Sequence, residues 1–182
     1  MNIRSIVLVA CALAPLSTLA DQSDERLNGL FSTLAQTDDP RIIQNTEIRI
    51  WEVWLQHDDT NVSRLMSIAT ERMNYQRYAE AMLVFTQIIE SFPDYAEAWN
   101  KRATLNYLLG NMEESIADIE RTLELEPRHF GALSGLGLVY IQRKQFTKAK
   151  QAFEDLIRVH PNSANAKQNL ELVNEQLRFG VI

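Results

Sequence analysis

Three prolines, Pro93, Pro127 and Pro161, follow one another at intervals of 34 residues. A fixed period of that length marks a chain built from one repeated supersecondary unit, and it narrows the choice of fold before composition is considered. The residues leading into each proline align without a gap, as FTQIIESFP, IERTLELEP and FEDLIRVHP. Each stretch is apolar at helical spacing. Proline closes each one because it lacks a backbone donor and its ring collides with the carbonyl one turn back. Counting back from the prolines gives three units, 62–95, 96–129 and 130–163.

Side-chain sizes recur at matching places in the units. A large apolar residue opens the first helix (Leu65, Trp99, Leu133), and a small one follows four residues later (Ala69, Ala103, Gly137). A bulky residue begins the second helix (Tyr78, Met112, Phe146), followed by a small one (Ala81, Ser115, Ala149) and then Phe85, Ile119 or Phe153. Small residues let the two helices of a hairpin approach closely, and the bulky ones fill the space beside them.

This pattern resembles the tetratricopeptide repeat, and the resemblance covers residues 62–163. The middle unit, AEAWNKRATLNYLLGNMEESIADIERTLELEP, carries it best, through Trp99, Ala103, Gly110, Ser115 and Pro127. The resemblance implies an all-α fold, a right-handed superhelix of stacked antiparallel helix hairpins. The chain departs from the family pattern at Arg72 and Asn106, where an aromatic is common, and at Arg102, where leucine is usual. It departs again at Ile88, Thr122 and Leu156, which replace a usual alanine. A buried guanidinium must reach a carboxylate or snorkel outward, and Asp118 and Glu114 on the facing helix are the candidate partners for Arg102. On that reading Arg102→Leu is tolerated and Asp118→Ala destabilises.

The flanks also read as helices. Leu27, Leu30, Phe31 and Leu34 are helically spaced, and Asp39-Pro40 supplies a cap and a first-turn proline for a helix to about His57. Residues 21–61 are therefore expected to form a degenerate N-terminal helical hairpin. Residues 164–182 are expected to form a capping helix and a tail, with Leu170, Val173 and Leu177 on the apolar side.

Residues 1–20 differ from the rest. Arg4 precedes an apolar run from Ile6 to Leu16, and small residues lead to Ala20. This is the layout of a signal peptide cut after Ala20, with an inner-membrane anchor formed by residues 5–20 as the alternative. The expected location is periplasmic or secreted. Cys11, the only cysteine, lies inside this run, and a lipobox reading of Leu8-Val9-Ala10-Cys11 is set aside because the apolar run continues past it.

No catalytic constellation is legible. His57, His129 and His160 lie far apart without metal-ligand spacing, and Gly135-Leu136-Gly137 falls inside a helix rather than a phosphate loop. No enzyme activity, cofactor, metal or small-molecule substrate is expected. The formal charge of −6 speaks against nucleic acid as a partner.

The family resemblance implies a concave groove lined by the first helix of each unit, where a peptide or helix of another protein binds. Its lining here is Met66, Thr70 and Met73, then Asn100, Thr104, Tyr107 and Leu108, then Ser134, Leu138 and Ile141. Arg102, Arg128 and His129 are further candidates for polar contacts. A basic clamp for a carboxylate tail is not expected, since the relevant positions hold Met66, Thr70 and Gly135. The expected function is a scaffold or adaptor of the bacterial cell envelope. A self-associating structural component is the alternative.

Overall fold

A computed structural model describes residues 22–180, and the expected leader at residues 1–20 lies outside them. The described residues form nine helices and no strand: α1 (Arg26–Gln36), α2 (Pro40–Leu55), α3 (Thr60–Asn74), α4 (Tyr78–Ser91), α5 (Ala96–Leu109), α6 (Met112–Leu125), α7 (Phe130–Gln142), α8 (Phe146–Val159) and α9 (Ala164–Phe179). None of them is long and apolar enough to cross a membrane.

Local sequence sets the helix ends. Asp39 and Asp59 each accept a backbone N–H at 2.8 Å at the starts of α2 and α3, filling donors that the first helical turn leaves open. His129 caps α7 and Ser163 caps α9 in the same way. Each unit turns between its helices through one left-handed residue. Gln76, Gly110 and Lys144 stand 34 residues apart and have φ of 59°, 82° and 55°. The turn closes with Arg77 N–H donating to Arg72 O, Asn111 N–H to Asn106 O and Gln145 N–H to Tyr140 O, at 2.8, 2.9 and 2.8 Å.

Helices pair as α3 with α4, α5 with α6, and α7 with α8, and α9 packs on α8. Gly137 permits the closest approach, because the Phe153 ring fills the place a Cβ would take. The departures at Arg102 and Asn106 share one explanation. Arg102 grips Asp118 through two hydrogen bonds of 2.7 and 2.9 Å, and Asn106 donates to the same carboxylate at 3.1 Å. The guanidinium also lies 4.9 Å above the Trp99 ring.

The hairpin α1–α2 does not continue the stack onto α3. It folds back across the loops between units. Arg128 donates to Asn28 at 2.9 Å and covers Phe31. Asn162 donates to Thr37 O at 2.8 Å, and His160 pairs with Glu47 at 2.8 Å. Beneath these contacts Leu27, Leu34, Ile50 and Trp54 are buried in one core with Phe130, Leu133 and Phe153.

Candidate functional site

The first helices of the second and third units leave a cleft of about 400 Å³ between α5 and α7. Asn100, Thr104, Tyr107 and Leu108 line it from α5, and Ser134 and Leu138 from α7. Ser115 and Ile119 of α6 reach its floor. Helical register explains the grouping, since residues three, four and seven apart share one face. A second cleft of about 460 Å³ lies over α3, lined by Leu55, Met66, Thr70, Glu71 and Tyr75 among others.

The structure therefore gathers six of the ten expected lining residues into one cleft and puts Met66 and Thr70 at another. Met73 and Ile141 line neither and pack on the core instead. Met66 is 2% exposed and serves mainly as core. Asn100 is also largely withdrawn, its amide donating to Glu97 at 2.9 Å. Tyr107 and Leu108 remain accessible, and Leu108 is 51% exposed.

The three residues expected to offer polar contacts are engaged internally. Arg102 is held by Asp118. Arg128 pairs with the buried Glu126 at 3.0 Å. His129 is fully buried and stacks on Trp54 with ring centroids 4.0 Å apart. Its Nδ1 accepts Ala132 N–H, so Nε2 carries the proton that goes to Glu97 at 3.0 Å.

Sequence reasoning passed over Glu97, and helical spacing counts Trp51 and Leu55 with the apolar stripe of α2. Glu97 is 1% exposed and is the hub beneath the hairpin. Burial alone would raise its carboxyl, but the hydrogen bond from His129, the Lys101 ammonium at 3.2 Å and the Asn100 amide together hold it below the ordinary glutamate range. Trp51 closes one end of the α5–α7 cleft. Its ring edge leans on Gly131, where a Cβ would stand 2.6 Å away, and Lys101 sits 5.4 Å from its centroid. The spacing of Trp51 and Trp54 suggests two core residues; both pack on the core, and Trp51 reaches the cleft as well.

The arrangement offers accessible apolar and hydroxyl groups, with Lys101 committed to Glu97 and Glu71 exposed. Among the described residues no three His, Cys, Asp or Glu side chains meet as a metal cluster. Family models described as tetratricopeptide repeat match residues 67–129 and 132–163. A TPR repeat-containing protein of Rhizobium etli is 33% identical over 153 residues, which is 84% of this chain and 75% of that protein. The Hsp70-Hsp90 organizing protein 1 of Glycine max is 28% identical over 59% of this chain, a span that makes up 19% of the plant protein. The Sgt2 TPR domain from Aspergillus fumigatus has the same fold, with a TM-score of 0.62 at 24% identity over 66% of this chain and 81% of that one. The first TPR of Spaghetti (RPAP3), solved with an HSP90 peptide, gives 0.63 at 19% identity over 66% of this chain and 96% of its own.

Proposed function

The chain belongs to the tetratricopeptide repeat family, and from that premise we propose that it is a non-catalytic scaffold that holds a segment of another protein between α5 and α7. One observation carries this reading. Tyr107, Leu108 and Leu138 line this cleft; Tyr107 and Leu138 back onto the core, while Leu108 is exposed at a place where solvated charge would cost nothing. One domain of the same fold was solved with a bound peptide, which supports the reading by analogy. Tyr107 is the expected anchor, an aromatic with a polar tip at the centre of the cleft. Tyr107→Ala should cost about 2 kcal/mol of binding and leave the fold intact. Crosslinking pull-down with the wild type and the variant, alongside circular dichroism, tests it. A folded variant that captures every wild-type partner would refute the cleft as the site.

We also propose a cell-envelope location. The support is the succession of charge, apolar run and small residues in residues 1–20. Mass spectrometry of the N-terminus of the protein taken from cells should find it beginning at Asp21. A chain beginning at Met1, or at an acylated Cys11, removes the cleavage after Ala20.

A further inference from the structure

We propose that the binding groove has a wall that no repeat unit supplies, the flank of α2 carrying Ile48, Trp51 and Leu55, and that its occupant is a basic amphipathic segment. This rests on the scaffold reading above. The three residues stand at i, i+3 and i+7, so they share one side of α2. The side facing the core is already filled by Ile50, Val53 and Trp54. Ile48 is nonetheless 48% exposed and Leu55 37% exposed. A helix docked on one face needs no second apolar stripe, because polar residues there cost it nothing.

Two of the three residues line the clefts, and Ile48 extends the stripe by one turn beyond Trp51. Trp51 lines the α5–α7 cleft and Leu55 lines the cleft over α3. Residues four apart on a helix are separated by about 6 Å along its axis. The two clefts therefore open one turn apart beside the same flank of α2. A segment lying in this trough would place one apolar anchor in each cleft and touch repeat helices on one side and α2 on the other.

Charge selects the occupant. Among the residues lining the two clefts the only cation is Lys101, and Glu97 already holds it at 3.2 Å. The only other charged lining residue is Glu71, which is exposed and has no ion pair among the described residues. The chain as a whole carries −6. A carboxylate-bearing segment finds no counter-ion here, whereas a Lys or Arg beside the apolar anchors meets Glu71 and is drawn by the long-range field.

Selection of a phage-displayed library of random dodecapeptides against the protein tests this directly. Recovered peptides should carry two large apolar residues with Lys or Arg and be depleted in Asp and Glu. Their affinity should fall about tenfold or more with Ile48→Ser, Leu55→Ser or Glu71→Lys, each at an exposed site and each checked for folding by circular dichroism. Peptides that lose affinity with Tyr107→Ala but are indifferent to Ile48→Ser and Leu55→Ser would overturn the α2 wall and leave the scaffold reading standing. Enrichment of acidic peptides would overturn the choice of occupant. An empty selection, or peptides indifferent to Tyr107→Ala, would sink the scaffold reading and this inference with it.

Discussion

Asp118 is 4% exposed and receives hydrogen bonds from Arg102 and Asn106. This geometry reverses one expectation from sequence. Arg102→Leu looks tolerable when only the arginine is considered, but it strands a buried carboxylate with a single amide for company. It should cost about 3 kcal/mol, because removing one partner leaves an uncompensated buried charge. Asp118→Ala should cost less, about 1–2 kcal/mol, since the Arg102 side chain is 20% exposed and can turn outward. The double variant Arg102→Leu with Asp118→Asn should recover most of the loss. Urea unfolding of the three proteins checks the order, and a harmless Arg102→Leu would mean that the carboxylate finds solvent. Glu97 supplies the pH dependence. Its carboxyl lies below the ordinary value of 4.5 in the folded protein, so the folded state favours its charged form. The stability it gives is fully present above 4.5 and is lost as pH falls through the lowered value. Urea unfolding from neutral pH down to about pH 3 should show a loss of stability that Glu97→Gln makes shallower. Equal slopes in the two proteins would remove Glu97 from that role.

At the scale of the helix hairpin, the three units share one turn but fill it differently. Gly110 was legible in the sequence as the family's glycine, and its φ of 82° explains it. Gln76 and Lys144 occupy the equivalent places with the same left-handed backbone, and nothing in their identity announces it. A side chain in that region costs about 1–2 kcal/mol, part of which glycine gives back as extra freedom in the unfolded chain. Gln76→Gly and Lys144→Gly should therefore each stabilise by about 0.5–1 kcal/mol, and Gly110→Ala should destabilise by about 1 kcal/mol. Thermal unfolding of the three variants reads the sign directly. A loss of stability on Lys144→Gly would show that the lysine side chain matters more than its backbone.

Across the whole molecule, what could be read from sequence follows the distance over which contacts act. The stacked units were legible because each packs on itself and its neighbour, so the same demands recur with a fixed period. The α5–α7 cleft was legible for the same reason, through Asn100, Thr104, Tyr107, Leu108, Ser134 and Leu138. The hairpin's position was not. Its polar links join residues 100, 113 and 125 places apart, and no local pattern encodes a partner so distant. Trp51 and Leu55 were legible as part of an apolar stripe but not as cleft walls, since their surroundings come from the second, third and first units. Arg128 and His129 were read as candidates for polar contacts with a partner, and they are the seat on which the hairpin rests.

That seat has a consequence for how the molecule comes into being. A chain is made from its N-terminus, and domains form as their residues emerge. Each repeat can close on itself soon after its own last residue appears. The hairpin is made before any of them, yet the groups that receive it come late: Arg128 and His129 end the second repeat, and Phe130, His160 and Asn162 belong to the third. The hairpin is thus made before the repeats and placed only once the third has been added. In the interval Leu27, Leu34, Ile50 and Trp54, each at most 1% exposed in the finished protein, have only one another for cover. A pause in translation before the third repeat would lengthen that interval, so the speed at which residues 128–162 are added governs how long the nascent chain is most exposed to misassociation.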